Sequence, residues 1–454
     1  MFNSKQDLLN GNPYRCIIAF AIPLFIGNIF QQLYNMVDAA VVGRFIGLKT
    51  LAAVGAGASG NGLIIAIVLG ITNGASVVIS QVYGSGKKEK LRKSYITTCK
   101  ILLYAGIILM IIGFFCCIPL LRLMGTPADV FDDAVVYVRY MIAGIMATCL
   151  YNGMSSFLRS VGDSMTPLIA LIISSLVNVG LDIVFVLGLK MGVDGVAAAT
   201  VISQLLSGLF CMFYIHKKMP EMNYGIREFR MDPEIAEEML RIGLPATFST
   251  VVVTVSTMFI QAAVNGFGST VVGAYTIGGR VENIGFCLAY SIGLSTGVFC
   301  GQNIGADNVD RTMKGFRSGI VIAVVYSIIV GASMFFLACT LTGVFSTDPE
   351  VMQITVPLIR ITAAFAPVLC IVFVMQNFLR SVSDVRPTVV MSFAEILSRG
   401  ILPFILPLWL GYYGIWWATP IGWILSLIIG WVRYGSGKWK QKCNLFKIID
   451  GGGN

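Results

Sequence analysis

Long apolar runs separated by short polar connections recur along the whole chain. Windows of about 20 apolar residues, the length that crosses ~30 Å of hydrocarbon, fit twelve times: 16–42, 51–83, 95–120, 130–157, 166–188, 194–216, 240–265, 271–302, 318–342, 351–377, 388–410 and 414–434. A helix satisfies its own backbone groups without help from lipid, so the pattern predicts an all-α polytopic membrane protein with 12 transmembrane helices. The N-terminus lacks a charged segment followed by a small-residue cleavage site, and the first run is expected to stay as a membrane helix.

The pattern also repeats. FLRSVGDSMTP at 157–167 returns as FLRSVSDVRP at 378–387, an offset of 221 up to the acid. The same offset pairs Arg139 with Arg360, Cys149 with Cys370, Gln81 with Gln302, Gly84 with Gly305 and Lys93 with Lys314. Six spans precede the second copy, which therefore enters the membrane with the same orientation, giving two six-helix lobes related by a pseudo-two-fold axis along the membrane normal. The expected organisation is an N-lobe over 1–216, a cytoplasmic linker over 217–238, a C-lobe over 239–436 and a cytoplasmic tail over 437–454. The linker region, KKMPEMNYGIREFRMDPEIAEEML, is the longest polar stretch and reads as a solvated amphipathic connection. In the duplicated loops, Asp163 and Asp384 can cap the helices that follow Pro167 and Pro387, while Arg159 and Arg380 can face lipid phosphates or pair with those acids.

Charge adds orientation and removes whole classes of function. Alternate connections hold 23 Lys and Arg on one side and only Arg44, Lys49, Arg122 and Lys190 on the other. Cytoplasmic loops retain positive charge, so both termini are expected in the cytoplasm of a multi-pass cell-membrane protein. Composition agrees, with 56% hydrophobic and 12% charged residues and a mean hydropathy of +0.81, against roughly 25% charged in an ordinary soluble domain. The net charge of +9 does not mark a nucleic-acid binder, which needs a basic stripe on a foldable soluble domain. Eleven cysteines without C-x-x-C spacing read as small buried hydrophobes, not as a disulfide framework or a zinc site. The single histidine, His216, reads as an interfacial residue at a helix end and leaves no metal or nucleophile constellation for an enzyme. No G-x-x-x-x-G-K-[ST] stretch occurs, so neither ATP nor another cofactor is expected.

Against this background the first span is unusual. In NIFQQLYNMVDAAVVGR, residues 28–44, the side chains of Gln31, Tyr34, Asn35 and Asp38 fall at i, i+3, i+4 and i+7, one polar stripe on an apolar cylinder. Facing lipid, such a stripe is prohibitively costly, so it is expected to look into the lobe. In the fifth span Asn178 and Asp182 are four apart with Ser174 one turn earlier, and Thr200 in the sixth can add a hydroxyl. A rise of 1.5 Å per residue sets Asp38 roughly 33 Å from Cys16 and Asp182 roughly 24 Å into its span, both in the outer half of the membrane. Two carboxylates brought close in a poorly hydrated lobe cannot both stay ionised alone: one takes a proton or the pair binds a cation. The other reading is a scaffold in which the acids satisfy buried amides and hydroxyls. Pro23 removes one backbone hydrogen bond from the same helix and bends it, as a static kink or as a moving hinge. Glu395 and Arg399, four apart, can neutralise each other.

Six plus six helices, the spacing of Pro23, Asn28, Tyr34, Asn35, Asp38, Val42, Gly43 and Arg44, the Q-x-x-G loops and the two F-L-R-S-V-x-D loops together resemble the multidrug and toxic compound extrusion (MATE) family over nearly the whole chain. The resemblance implies a pair of six-helix lobes that exports amphipathic, often cationic, organic compounds, drugs or toxins in exchange for sodium ions or protons. It also implies a polar N-lobe coupling site at Asp38, Asn178, Asp182 and Thr200, with Tyr34 beside it; a sodium ion would be held by those four. Glu282 in the eighth span matches an acid that some relatives use in the second lobe, whereas the apolar part of the seventh span has no acid, where other subgroups carry one. The expected partners are small organic molecules and the bilayer, and a monomer is expected. The competing function is a flippase for a lipid-linked precursor, which wants a strongly cationic cavity; Arg139, Arg280, Arg360 and Arg399 favour it, and Asp38, Asp182, Glu282 and Glu395 offset them one for one.

Overall fold

Every long apolar run folds as a helix that saturates its own backbone, and no strand occurs among the described residues, 6–123, 125–225 and 228–443 of the computed structural model. The first six spans are α1 (Pro13–Val41), α2 (Leu48–Gly84), α3 (Lys88–Leu123), the pair α4 (Phe131–Ala143) and α5 (Ile145–Ser160), α6 (Met165–Asp182) and α7 (Val193–Lys218). The second six are α8 (Pro233–Asn265), α9 (Ser269–Gly305), α10 (Val309–Phe336) with the short α11 (Ala338–Gly343), the pair α12 (Pro349–Ala364) and α13 (Ala366–Ser381), α14 (Arg386–Ile405) with α15 (Pro407–Leu410), and α16 (Tyr413–Gly435). The short α17 (Lys440–Cys443) closes the described chain, and 444–454 of the expected tail lie outside the described residues.

Among the described residues ten helices are long and apolar enough to cross a membrane singly, and the two pairs complete a set of up to twelve spans. The fourth and tenth spans are not continuous: α4 and α5 meet at 49°, and α12 and α13 at 50°. The breaks fall at Gly144 and Phe365, one repeat apart. In the second copy Pro367 cannot donate a backbone hydrogen bond at the start of α13.

Contacts divide the chain inside two helices, not at the polar linker. One compact unit comprises Ile26–Thr247 with Gln6; the other comprises Asp7–Phe25 with the described residues from Phe248 onward. Both divisions follow a proline, Pro23 in α1 and Pro245 in α8, where a missing backbone bond lets the helix change partners. The first turns of α1 therefore bury Ile17, Phe20 and Ala21 in the second unit, in a core with Phe299, Phe316, Phe378 and Trp439. The first turns of α8 stay in the first unit, where Gly70 and Gly74 of α2 let the backbone approach so closely that a Cβ on Gly74 would meet the Cα of Gly243 at 2.4 Å. The linker is docked on the first unit: Arg92 pairs with Glu228, Lys93 reaches Asp232 (3.7 Å), and Lys100 sits over the Phe229 ring (4.9 Å).

In the second unit the segment before α1 is strapped to α9 and α10. Arg311 donates to the carbonyl oxygens of Gly11 (2.8 Å), Asn10 (2.8 Å) and Leu8 (3.2 Å), Asn303 donates to Leu8 (3.1 Å), and the Leu8 side chain is buried. Asp7 organises the turn by accepting from the Asn10 amide (2.8 Å) and the Leu9 backbone (2.9 Å). The Asn10 amide, aided by the backbone donors and Arg311, holds the Asp7 carboxyl below its usual range.

The duplicated loops use their acids differently. Asp163 caps α6, accepting from the Met165 and Thr166 backbones (3.1 and 2.9 Å) and the Thr166 hydroxyl (2.7 Å). Asp384 does not cap α14, because the second copy is one residue shorter and sets Pro387, which has no N–H, in its first turn. Its buried carboxylate instead accepts a bidentate pair from Arg433 of α16 (2.6 and 3.1 Å). Arg159 and Arg380 form no ion pair with either acid among the described residues.

Arg433→Met leaves the Asp384 carboxylate buried and unpaired, with an expected cost of about 3–5 kcal/mol. Loss of the cap in Asp163→Ala is expected to cost about 1 kcal/mol, so thermal unfolding in detergent should be lowered distinctly more by the first change. Because the Asp7 carboxyl is held low, its contribution is complete at neutral pH and is lost as pH falls through that lowered value. The protection factors of amides over residues 8–12, with the intrinsic exchange rate divided out, should fall on such acidification, and Asp7→Asn should lower them already at neutral pH and remove this added pH dependence.

Candidate functional site

The polar residues of α1, α6 and α7 converge inside the first unit. Asp182 and Asn178 are entirely buried on α6, and Thr200 is buried on α7, which packs along α6. With its amide turned to satisfy its neighbours, Asn178 donates to Asp182 Oδ2 (3.0 Å) and accepts from the Thr200 backbone N–H (3.2 Å). The Thr200 hydroxyl donates to the Val196 carbonyl (3.0 Å), and the Tyr34 hydroxyl lies within hydrogen-bonding reach of Thr200.

Asp38 comes from α1 to meet this group, and its carboxyl lies within hydrogen-bonding reach of that of Asp182. The Oδ1 atoms of both acids are shut away from water and receive no donor among the described residues. Such atoms need a proton or a cation to answer them. The oxygens left to answer a positive charge are carboxylate and hydroxyl oxygens, a hard set that suits sodium as it suits a proton, while the Asn178 amide oxygen is turned to the Thr200 backbone. Among the described residues no three His, Cys, Asp or Glu side chains gather in a metal-binding group.

Both acid-bearing helices change winding just beyond the site. α1 runs on as a π-helical turn over Val42–Ile46, and α6 does so over Ile183–Gly188; the two turns pack against each other. Wide turns of this kind are frequent at functional sites, because they re-aim side chains and free carbonyl groups from the regular ladder.

The expected stripe on α1 is split. Tyr34 and Asp38, one turn apart, face inward, whereas Asn35 is exposed and Gln31 is half-buried, and neither hydrogen-bonds to the acids among the described residues. Successive residues turn by 100°, so Asn35 cannot share the inward direction of Tyr34. Pro23 lies in α1 near the point where that helix passes between units. Glu282 belongs to the second unit, where it is half-buried and bonded to Thr362 within the field of Arg399. Arg399 donates to Ser256 (3.4 Å) and Glu395 accepts from Gln376 (3.4 Å), so these two do not form the direct pair their spacing suggests.

One member of the site is not visible in the sequence. Tyr137 of α4 is buried in the field of both acids. Its ring lies on Gly57 of α2, where a Cβ would come within 2.6 Å of it. The sequence signal is only an aromatic hydroxyl within the fourth span, and its direction depends on how α4 is rotated against α2.

The fold is that of a two-repeat membrane transporter. The MatE family profile matches residues 23–184 and 245–405, one stretch in each repeat. The chain belongs to the multidrug and toxic compound extrusion family. It is 30% identical to the probable multidrug resistance protein YoeA of Bacillus subtilis over 439 residues, 94% of this chain and 95% of that one. It is 23% identical to the probable multidrug resistance protein NorM of Thermotoga maritima, covering 94% of each chain. In fold it matches a MOP superfamily transporter from Pyrococcus furiosus with a TM-score of 0.88 at 24% identity, covering 96% of this chain and 98% of that one.

Asn178→Leu, close in volume but unable to hydrogen-bond, is expected to leave Asp182 Oδ2 without its donor and to destabilise the protein by about 1–3 kcal/mol. Thermal unfolding in detergent reads this, and an unchanged midpoint would mean that the Asn178 amide does not hold the acid.

Proposed function

We propose that this protein is a secondary antiporter of the cell membrane, with both termini cytoplasmic, that expels amphipathic organic compounds, cations among them, in exchange for protons or sodium ions. The observation that carries the reading is the acid pair: Asp38 and Asp182 lie within hydrogen-bonding reach, each with an Oδ1 atom buried and unanswered. The names of YoeA and NorM support small-molecule export as the transported class.

Each group has a task in this reading. Asn178 fixes the Asp182 carboxyl, so the pair is built around one stationary acid and one acid on α1. Asp38 with Tyr34 rides on the helix whose first turns, before the Pro23 region, belong to the second unit. A proton or sodium ion, when bound, supplies the positive charge that lets the carboxyls approach. Without it they repel and attract a cationic substrate instead. Occupancy by the ion and by the substrate then oppose each other by one reciprocal factor, and parallel repeats turn this exchange into alternating access.

The test is efflux from liposomes that contain only this protein, with sodium and proton gradients imposed separately and no ATP. Asp38→Asn and Asp182→Asn keep size and remove charge, and each is expected to reduce gradient-driven export to roughly background. The double change should cost little more than either alone, since groups that act as a unit are non-additive. Normal export by both single variants under both gradients would move the coupling site elsewhere, and dependence on added ATP would overturn the antiport reading.

A further inference from the structure

A second charged feature is duplicated, and it lies on the surface. Arg139 of α4 stacks over Phe114 (5.4 Å) and Arg360 of α12 over Phe335 (5.5 Å), each pair one repeat from the other. Both arginines are exposed. Around Arg360 the surface is that of a lipid-facing helix: Val321, Val325, Ile328, Ile329 and Phe336 of α10 are all exposed, at i, i+4, i+7, i+8 and i+15.

Beside that stripe the bend between α12 and α13 opens a groove of about 220 Å³, lined by Ser327, Ile328, Gly331, Phe335, Ala363 and Pro367 with their neighbours. Small residues make it: Gly331 lies so near α12 that a Cβ there would meet the Ala363 carbonyl oxygen at 2.7 Å. Phe335 lines the groove and carries Arg360 on its ring, so the guanidinium stands at the groove's mouth. Its Nε donates to the Phe335 carbonyl (3.4 Å) near the end of α10, and its two terminal nitrogens have no partner among the described residues. Among the described residues no carboxylate pairs with it. Side chains lean toward the N-terminus of their helix, so Arg360 extends toward the Pro349 end of α12 and its guanidinium meets the last turn of α10, the end of the groove nearer the membrane surface.

We propose that the groove between α10 and the α12–α13 bend holds one acyl chain of an anionic phospholipid whose phosphate is bound by Arg360. Two parallel donors on a planar guanidinium match phosphate oxygens bidentately. In choline and ethanolamine lipids the headgroup's own ammonium offsets the phosphate charge, whereas a headgroup of net negative charge leaves it whole for the guanidinium, and this favours an anionic lipid. This site is independent of the acid pair and of the direction of transport.

Native mass spectrometry of the full chain in detergent, with equal dioleoyl phosphatidylglycerol and dioleoyl phosphatidylcholine, tests the proposal. The wild type is expected to retain one phosphatidylglycerol through activation that strips phosphatidylcholine. Arg360→Gln should lower that retention about tenfold. Arg360→Lys should restore part of it, and Ala332→Trp, which fills the groove from an exposed position, should lower retention while Arg360 remains. Equal retention of both lipids by the wild type would overturn the anionic selectivity. Wild-type retention by Arg360→Gln and by Ala332→Trp, each with an unchanged unfolding midpoint, would reduce Arg360 to a cap on α10.

Discussion

A carboxylate taken out of water costs several kcal/mol unless a proton, a cation or a full set of donors answers it. Asp38 and Asp182 are brought within reach of each other with one oxygen apiece unanswered, and the rest of the first unit is arranged on those terms. Asn178 spends its amide on Asp182 and on the Thr200 backbone, which fixes one acid. Tyr137 closes the site from α4 only because Gly57 leaves room for its ring. The π-helical turns beyond each acid give α1 and α6 a shared non-standard contact at the level of the site.

Duplication built the scaffold, and divergence separated the chemistry. The bends at Gly144 and Phe365 and the two arginine–phenylalanine stacks keep the repeat spacing, because they set helix direction and surface in both copies. The acid pair does not recur: Phe259 stands one repeat after Asp38, and neither Leu402 nor Pro403, on either side of the shortened register, replaces Asp182. The second unit instead buries Glu395 and Arg399 and half-buries Glu282, each bonded to neutral partners. A single lost residue in a duplicated loop was enough to turn the acid of the second copy from a helix cap into one half of a buried ion pair.

The prolines of α1 and α8 give the chain an exchange of segments. Each helix begins in one unit and ends in the other, so the residue that carries Asp38 and the strap clamped by Arg311 belong to one continuous helix and its leader. The strap is held from two sides, by Asp7 within its turn and by Arg311 from α10. Three carbonyl groups meet one guanidinium, with Leu8 buried beneath.

The sequence by itself determined the helices, their number, the duplication and the family, because hydrocarbon imposes a length and an apolarity that are legible one span at a time. It also singled out Asp38, Asn178, Asp182, Thr200 and Tyr34, since a polar side chain in such a span needs a reason to be there. Azimuth was less accessible: Asn35 shares the stripe in sequence and points outward in space, and Glu395 and Arg399 have pairing distance along the helix but bond elsewhere. Where contacts divide the chain, which face α4 turns to bring Tyr137 to the acids, and the groove beneath Arg360 were decided only by the tertiary structure. Those depend on helix rotation and on where small residues let backbones meet, and packing between distant segments fixes both.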